Sequence, residues 1–249
     1  MKLESKAVEE IYAGKVARKY DFSIPPFFAM WKRRAFKESS LKKGDAVLVF
    51  CCGTGLDFPH ILEKIGKEGK IVGVDFSSEM LAAATEKIHK NHWKNIELIE
   101  ADITTFEIAN FATAKFDTQS LKKRASAKSA QREPGKKKKD SLSQNSGQFD
   151  AGVCTLGLSI IPEYKKAFQN LISHVKRGGE IIIGDMQLAS GWQARLNPVT
   201  IHMARKFGGT EEGHQNSLEL YSMIKKQLSD VNKREFFFKA YYYCIGKKK

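Results

Sequence analysis

Short apolar runs alternate with helically spaced apolar residues along most of the chain. The first run, Ala46–Cys52, is unbroken and ends at Gly53, which is typical of a parallel strand buried on both faces. A helix is predicted next, because apolar residues then recur at the spacing of one helical face: Phe58, Ile61, Leu62 and Ile65. Glycines at 66 and 69 close that helix.

The same alternation continues to about residue 100. Strands are predicted at Ile71–Asp75 and Ile96–Ile99, and Ser77 or Ser78 can cap the helix between them. The apolar face of that helix carries Met80, Leu81, Ala84 and Ile88. The alternation resumes with a strand from Phe149 to Cys154, a helix from about Glu163 to Val175 and, after Gly178-Gly179, a strand from Glu180 to Gly184.

The chain ends in two adjacent aromatic segments, Val231–Phe238 and Lys239–Ile245, which predict an antiparallel hairpin on the sheet edge. Together the elements predict an α/β fold with a Rossmann-like, doubly wound, mostly parallel seven-stranded sheet and this C-terminal hairpin. A length of 249 residues suits one large domain as well as two small ones. We predict a single domain over 1–249, with a helical cap at 1–44.

Composition limits the location and the chemistry. No apolar run approaches the roughly 18 residues of a membrane span, and the first residues lack the apolar stretch of a secretory signal, so we expect a cytoplasmic protein. The four cysteines form no CxxC pair, which predicts buried, reduced thiols and no metal site.

The formal charge of +14 is concentrated in one segment. Residues 112–148 hold ten Lys or Arg against three acidic residues, a balance of +7, and almost nothing apolar. Such a segment cannot bury enough surface to fold, so we expect a disordered loop. It is either a solvated insertion or an electrostatic tether to acidic lipid or nucleic acid.

A second candidate contact surface lies before the first strand. The aromatic stretch from Phe22 to Trp31 is followed at once by Lys32-Arg33-Arg34 and Lys37. Aromatic bulk beside cations suits a helix at an anionic membrane, and it suits equally a helix that packs its aromatics on the sheet. Peripheral membrane contact through 22–37 and 112–148 is one hypothesis that follows.

The candidate ligand site lies where the first three strands end. A Gly53-Thr54-Gly55 turn brings backbone N–H groups close to a ligand, and Asp75, twenty positions after Gly55, can accept both hydroxyls of a ribose. A dinucleotide would fit as well, but Phe58 stands where the fingerprint needs a third glycine. Asp102, at the end of the third strand, can bind an adenine amino group.

These residues resemble the class I S-adenosylmethionine-dependent methyltransferases over most of the chain. The first motif is similar to Val47–Gly55, the second to Gly73–Leu81 and the third to Ala101–Ile103. The match is to enzymes of the menaquinone and ubiquinone type and to relatives that methylate phospholipid amines. Segments that look more like the phospholipid branch are Tyr20-Asp21, Gly157–Pro162 and Gly191–Pro198.

The resemblance implies S-adenosylmethionine as cofactor and a small-molecule or lipid acceptor. It implies these cofactor-binding residues: Tyr20, Phe50, Cys51, Cys52, Gly53, Thr54, Gly55, Asp75, Phe76, Met80, Asp102, Ile103, Thr155, Leu156 and Gly157. Val49 departs from the family pattern, which has an acidic residue there, and Asp57 or a backbone group would have to compensate.

Methyl transfer from a sulfonium needs orientation of the acceptor and exclusion of water more than covalent machinery. An amine acceptor would need a general base, for which His202 and His214 are candidates, although each also suits a surface or helix-facing position. Three functions stay open: methylation of a phospholipid amine or isoprenoid-quinone precursor, methylation of nucleic acid, and binding without catalysis. The segment Cys154–Gly157 lacks the Asn/Asp-Pro-Pro-aromatic signature of base amino-group methylases, which disfavours the second.

Overall fold

The structure, a computed structural model, describes residues 20–21, 24–107, 148–205 and 210–249. The predicted basic insertion lies outside the described residues except for exposed Gln148, and so does the N-terminal cap before Tyr20. The predicted single domain therefore stays a prediction. Within the described part, no helix is both long and apolar enough to cross a membrane.

The described elements follow the predicted alternation of strands and helices. In chain order they are α1 (Pro26–Glu38), β1 (Ala46–Phe50), α2 (Phe58–Ile65), β2 (Lys70–Asp75), α3 (Ser78–Lys90), β3 (Ile96–Glu100), β4 (Phe149–Thr155), α4 (Tyr164–His174), β5 (Val175–Met186), α5 (Asn197–Ala204), α6 (Glu211–Gln227), β6 (Leu228–Phe236) and β7 (Tyr241–Lys248). Short 3₁₀ helices occupy Leu158–Ile160 and Gly191–Leu196.

The seven strands form one sheet in the order β3-β2-β1-β4-β5-β7-β6. β1 pairs in parallel with both β2 and β4, whereas β7 runs antiparallel to β5 and β6. This arrangement confirms the predicted fold class, including the terminal hairpin. Because the strand order reverses between β1 and β4, a crevice is expected at the carboxyl ends of these two strands.

Each face of the sheet has its own core. Along β1, Leu48 and Phe50 enter the cluster that α4 and α6 cover, while Val47 and Val49 enter the cluster that α1, α2 and α3 cover. This alternation follows from the period of two along a strand. Helices on both faces explain why β1 is apolar throughout.

Helix α1 bears on the two interpretations of the aromatic segment at 22–37, of which Phe22 and the side chain of Phe27 lie outside the described part. Phe28, Trp31 and Phe36 are buried, and the Trp31 ring stacks on Tyr241 at 5.0 Å between centroids and on Phe236 at 5.3 Å. These aromatics therefore pack on the sheet and are not offered to a membrane. Arg33, Arg34 and Lys37 of the same helix are exposed.

The structure corrects the start of β5. The strand begins at Val175, directly after α4, and not at Glu180. Gly178 has a φ of 74°, and its segment forms an irregularity in the pairing with β4 between Phe149 and Ala151. The predicted glycine loop is thus a bulge within the strand.

Candidate functional site

A cleft opens at the carboxyl ends of the parallel strands, where the sheet order reverses. It has a solvent-accessible volume of about 230 Å³. Its walls come from the turn after β1, from the residues that follow β2, β3 and β4, and from two N-terminal residues, Tyr20 and Lys32.

The turn after β1 presents backbone to the cleft. Cys51, Gly53 and Gly55 all have a positive φ, of 50°, 51° and 76°. The N–H of Gly53 donates a hydrogen bond of 2.8 Å to Asp75 Oδ2, which ties the turn to the end of β2. The absence of a side chain at Gly53 leaves the turn open for a ligand to approach.

Gly55 makes room for another part of the protein. A Cβ at position 55 would lie 2.5 Å from the Phe58 ring, which is completely buried and also reaches to 3.0 Å from the place of a Cβ on Gly73. The Phe58 ring therefore fills the space beneath the turn and does not line the cleft. The sequence argument against a dinucleotide used Phe58 as a block to ligand approach. In the structure, Phe58 instead packs α2 against the underside of the turn.

Asp75 is held in place by backbone groups. Its Oδ1 accepts a bond of 3.0 Å from the N–H of Ser77, and Ser77 Oγ in turn accepts from the N–H of Met80 to cap α3. Burial raises the pKa of Asp75, against the lowering effect of the N–H groups of Ser77 and Gly53. Two of the carboxylate lone pairs remain for a ligand.

Asp102 lines the same cleft from the end of β3. Its Oδ1 accepts bonds of 2.8 Å from both the N–H and the hydroxyl of Thr104, which orient the exposed carboxylate. Asp75, Asp102 and the glycine turn therefore share one cavity. This is the arrangement that the adenosine hypothesis requires.

Cys51 lies where the turn meets the segment after β4. A hydrogen bond with Cys154 and burial raise the pKa of the Cys51 thiol well above its usual value, so the thiol stays protonated. A Cβ on Gly157 would stand 2.6 Å from both Cβ and Sγ of Cys51. The absence of a side chain at Gly157 therefore leaves the space that the Cys51 side chain occupies.

Tyr20 and Asp21 close the N-terminal side of the cleft. Asp21 accepts hydrogen bonds from Thr54 Oγ1 at 2.5 Å and from Lys87 Nζ at 2.6 Å. Tyr20 packs on Met80, and burial together with nearby Asp75 raises its pKa. The phenol is therefore suited to covering a ligand, and it is a poor base.

A buried polar triad at the cleft was not predicted. Lys32 Nζ donates to Asp57 Oδ1 at 2.9 Å and to Thr155 Oγ1 at 2.6 Å, and Thr155 Oγ1 donates to Asp57 Oδ2 at 2.5 Å. All three residues are more than nine-tenths buried and line the cavity. Val49, where the family has an acidic residue, is buried in the core of the sheet.

Thirteen of the fifteen predicted cofactor-binding residues line the cleft. The exceptions are Gly55, which accommodates Phe58, and Phe50, which is buried in the core with its ring 5.6 Å from that of Phe106. Side chains alternate between the two faces of the sheet along β1, and Phe50 points into one core while Val49 points into the other.

Neither predicted histidine lines the cleft. His202 is exposed on α5, and His214 is buried on α6, where its Nδ1 lies 2.5 Å from the carbonyl oxygen of Thr210. The geometry therefore gives no support to either imidazole as a general base, and that role stays a prediction.

Nine lining residues lie outside the predicted cofactor-binding set, although Asp57 was named as a residue that could compensate for Val49. They are Lys32, Leu56, Asp57, Ala101, Thr104, Ile160, Ile161, Pro162 and Glu163. Most are neighbours of predicted residues and would be found by extending each motif. Lys32 had no such indication, because it stood in a run of exposed cations.

Comparison with known proteins agrees with this site. The family model described as a methyltransferase domain matches residues 41–228. That range contains every cleft residue except Tyr20 and Lys32.

Curated relatives include quinone methyltransferases. The 2-phytyl-1,4-beta-naphthoquinone methyltransferase of Arabidopsis thaliana is 51% identical over 77 residues, 29% of each chain. The demethylmenaquinone methyltransferase of Shouchella clausii is 24% identical over 61% of this chain and 49% of its own length. That of Listeria welshimeri is 25% identical over 72% of this chain and 61% of its own length. The chain thus spans between about a third and three fifths of these relatives.

Solved structures share the fold at low identity. A SAM-dependent methyltransferase from Aquifex aeolicus aligns with a TM-score of 0.61 and 16% identity, over 95% of this chain and 100% of that one. A phosphoethanolamine N-methyltransferase 2 from Haemonchus contortus, in complex with phosphomonomethylethanolamine and S-adenosylhomocysteine, aligns with a TM-score of 0.62 and 13% identity. The alignment covers 98% of this chain and 61% of that one. With the family model covering most of its length, the chain belongs to the methyltransferase domain family.

Proposed function

We propose that this chain is an S-adenosylmethionine-dependent methyltransferase that acts on a lipid-like acceptor, best matched by an isoprenoid-quinone precursor. The observation that carries the proposal is the apolar wall formed by Leu156, Ile160, Ile161 and Pro162 in the cofactor cleft. The curated relatives that methylate a naphthoquinone or demethylmenaquinone support the same acceptor class. An apolar ring or tail gains free energy by leaving water against such a wall.

We assign the cofactor to the described cleft by its chemistry. The Asp75 carboxylate would accept from the ribose hydroxyls, and Asp102 from the adenine amino group. The turn backbone at Gly53 and Thr54 would lie against the sugar and the amino-acid chain. These groups fit an adenosine because both carboxylates and the turn line one cavity at the carboxyl ends of the neighbouring strands β1, β2 and β3.

The polar triad fits the methionine end. Lys32 brings a positive charge and Asp57 a negative one, which complement the carboxylate and ammonium of an amino acid. The pair would replace the acidic residue that the family has at the position of Val49. Each charge already has two partners within the triad, which explains how a buried ion pair is tolerated at the cleft.

Bound there, S-adenosylmethionine supplies a methyl group on a positively charged sulfur. The chain has to hold the acceptor atom in line with the carbon–sulfur bond and to keep water out. Tyr20 and Ile160 pack in one apolar cluster beside the cleft and serve the second task. Glu163 and Thr155 are polar side chains of the cleft lining that could orient an acceptor hydroxyl.

A phospholipid amine is the second candidate of the same class. The structural likeness to a phosphoethanolamine methyltransferase concerns the fold alone. An amine must lose a proton, and no histidine is among the described residues that line the cleft. A quinone precursor, methylated on a ring carbon activated by its own phenol oxygen, places a smaller demand on a base.

The test is transfer of labelled methyl from S-adenosylmethionine to separate acceptors. We expect label in a demethylated quinone precursor with an isoprenoid tail, recovered in organic solvent. The Asp75→Ala variant is the matched control and should lose the transfer. Label in phosphatidylethanolamine, in water-soluble phosphoethanolamine or in RNA, with none in the quinone precursor, would reject the proposed acceptor.

A further inference from the structure

Three aromatic side chains form an exposed cluster outside the cleft, which we name the aromatic tip. Trp192 is 68% exposed, Phe238 53% and Phe237 37%. The Trp192 and Phe238 rings lie 6.3 Å apart between centroids, and those of Phe237 and Phe238 5.9 Å apart. Exposed aromatic residues that contact one another are unusual on a soluble surface, where single apolar residues are the norm.

The aromatic tip lies at the same sheet edge as the cofactor cleft. Phe237 and Phe238 form the turn between β6 and β7, and Tyr241 pairs with Met186 at the carboxyl end of β5. Trp31 joins the two sites, because its ring lies 6.3 Å from that of Phe237 while the next residue, Lys32, lines the cleft. A surface bound at the aromatic tip is therefore close to the acceptor entrance.

The turn holds its aromatics outward at a conformational cost. Phe237, Phe238 and Lys239 have φ values of 49°, 54° and 68°, a region that favours glycine or asparagine. Three consecutive side chains of this size in left-handed backbone are a strained way to build a hairpin. A turn that combines strained backbone with the exposed rings of Phe237 and Phe238 indicates a role in recognition.

The charge around the aromatic tip is positive. Arg195 is exposed on the 3₁₀ helix that carries Trp192, Lys239 belongs to the turn, and residues 187–205 contain no acidic side chain. The nearby carboxylates Glu235 and Glu38 are neutralised by ion pairs with Lys233 and Arg34. Tryptophan and phenylalanine flanked by cations such as Arg195 and Lys239 suit the interface of an anionic bilayer.

We propose that the aromatic tip docks this enzyme on an anionic lipid bilayer. The docking surface is thus the tip of the terminal hairpin with Trp192, and not the aromatics of α1. The inference rests on the proposed lipid-like acceptor, which would pass from the bilayer to the adjoining cleft. The rings would enter the headgroup region while Arg195 and Lys239 meet lipid phosphates.

The test is sedimentation of the full chain with vesicles of phosphatidylcholine containing about 30 mol% phosphatidylglycerol. We expect the double variant Trp192→Ala, Phe238→Ala to partition roughly tenfold more weakly than the unchanged protein. The variant keeps every charge, including those of residues 112–148, so the loss reports the aromatics alone. The matched control is Leu218→Ala on α6, which removes another exposed apolar side chain, 45% exposed, and should partition like the unchanged protein.

Trp192 also supplies a direct reading of insertion. Its fluorescence should shift to the blue with these vesicles, and the shift should survive Trp93→Phe but not Trp192→Ala. Absence of vesicle binding, equal binding by the double variant, or a dimer that this variant dissociates would each overturn the proposal. Binding of S-adenosylhomocysteine should be unchanged in the variant, which shows that it is folded.

The outcomes separate this inference from the proposed acceptor. Failure of the acceptor proposal appears as absence of label in a dispersed quinone precursor, with vesicle binding still dependent on the aromatics. Failure of the docking proposal appears as normal labelling together with vesicle binding that ignores Trp192 and Phe238.

Discussion

The region from β1 to β3 and the region from β5 to β7 reach the same edge of the sheet with different chemistry. At the ends of β1, β2 and β3 stand an open turn and two oriented carboxylates, Asp75 and Asp102. At the corresponding end of β5 and β7 stand rings: Trp31 stacked on Tyr241, with Trp192 and Phe238 exposed beyond them. The first region suits a polar ligand of fixed shape and the second an apolar one.

The difference shows why only one region carries motifs. Hydrogen bonds to a nucleoside need groups at fixed distances along short turns, so Gly53, Asp75 and Asp102 occur at set spacings. Apolar contact has no such directionality, and many combinations of rings satisfy it. The Lys32 triad joins the two regions, since it links α1 to the turn and to β4.

The largest effect is expected where the regions join. Lys32→Met leaves the buried Asp57 carboxylate without its ammonium, which should lower the free energy of unfolding by about 3 kcal/mol in urea titration. Adding Asp57→Leu should recover much of the loss. Lys165→Met breaks an exposed pair with Glu219 and should change stability by less than about 1 kcal/mol. Equal losses in the two single variants would contradict the buried triad.

The next effect concerns the polar region alone. Asp75→Ala removes an acceptor for ribose and should weaken S-adenosylhomocysteine binding about 100-fold by calorimetry. Trp192→Ala, in the aromatic region, should leave that affinity unchanged. An Asp75→Ala protein that binds within twofold of the unchanged one would remove Asp75 from the site.

A smaller effect tests the contact of the turn with the segment after β4. Gly157→Ala places a methyl 2.6 Å from Cys51 Cβ and Sγ, and the displaced turn should bind S-adenosylhomocysteine about tenfold more weakly. Combining it with Cys51→Gly should restore affinity, because the colliding atoms are gone. Gly44→Ala meets nothing within 4 Å but strains a backbone with a φ of 87°, so it is the control for a loss of stability that leaves affinity unchanged.

The smallest effect is on pH dependence. Burial raises the pKa of Asp75, so the folded protein holds this proton more tightly than the unfolded chain does. The contribution of Asp75 to stability is therefore present at low pH and is lost as the pH rises from its unfolded to its folded pKa. Ligand affinity should change in the opposite direction, falling a few-fold as the pH drops through the raised pKa and the acceptor is protonated. Calorimetry should show no such fall in Asp75→Asn.

The sequence supports the fold and the cofactor side well. Short apolar runs such as Ile71–Asp75 predict buried parallel strands, and the glycine turn marks the end of the first strand. It supports the acceptor side poorly. His202 and His214 were selected by residue type, and the structure turns one to solvent and buries the other away from the cleft.

Phe58 and Lys32 show the limit most clearly. Phe58, at the fingerprint position that predicted a blocked ligand, instead fills the space beneath Gly55. Lys32, from a run of basic residues, is a buried cation of the cleft. Both outcomes depend on which element packs against which, over separations of many residues along the chain.

The sequence by itself determined the alternation of strands and helices, the open turn and the two acidic strand ends, because each follows from local spacing. Only the tertiary structure decided that Lys32 pairs with Asp57 and Thr155. It alone also decided that Phe28, Trp31 and Phe36 of α1 are buried and that Phe237 and Phe238 of the terminal hairpin are exposed. The physical reason is that burial and ion pairing depend on contacts between distant segments, which periodicity along one segment cannot specify.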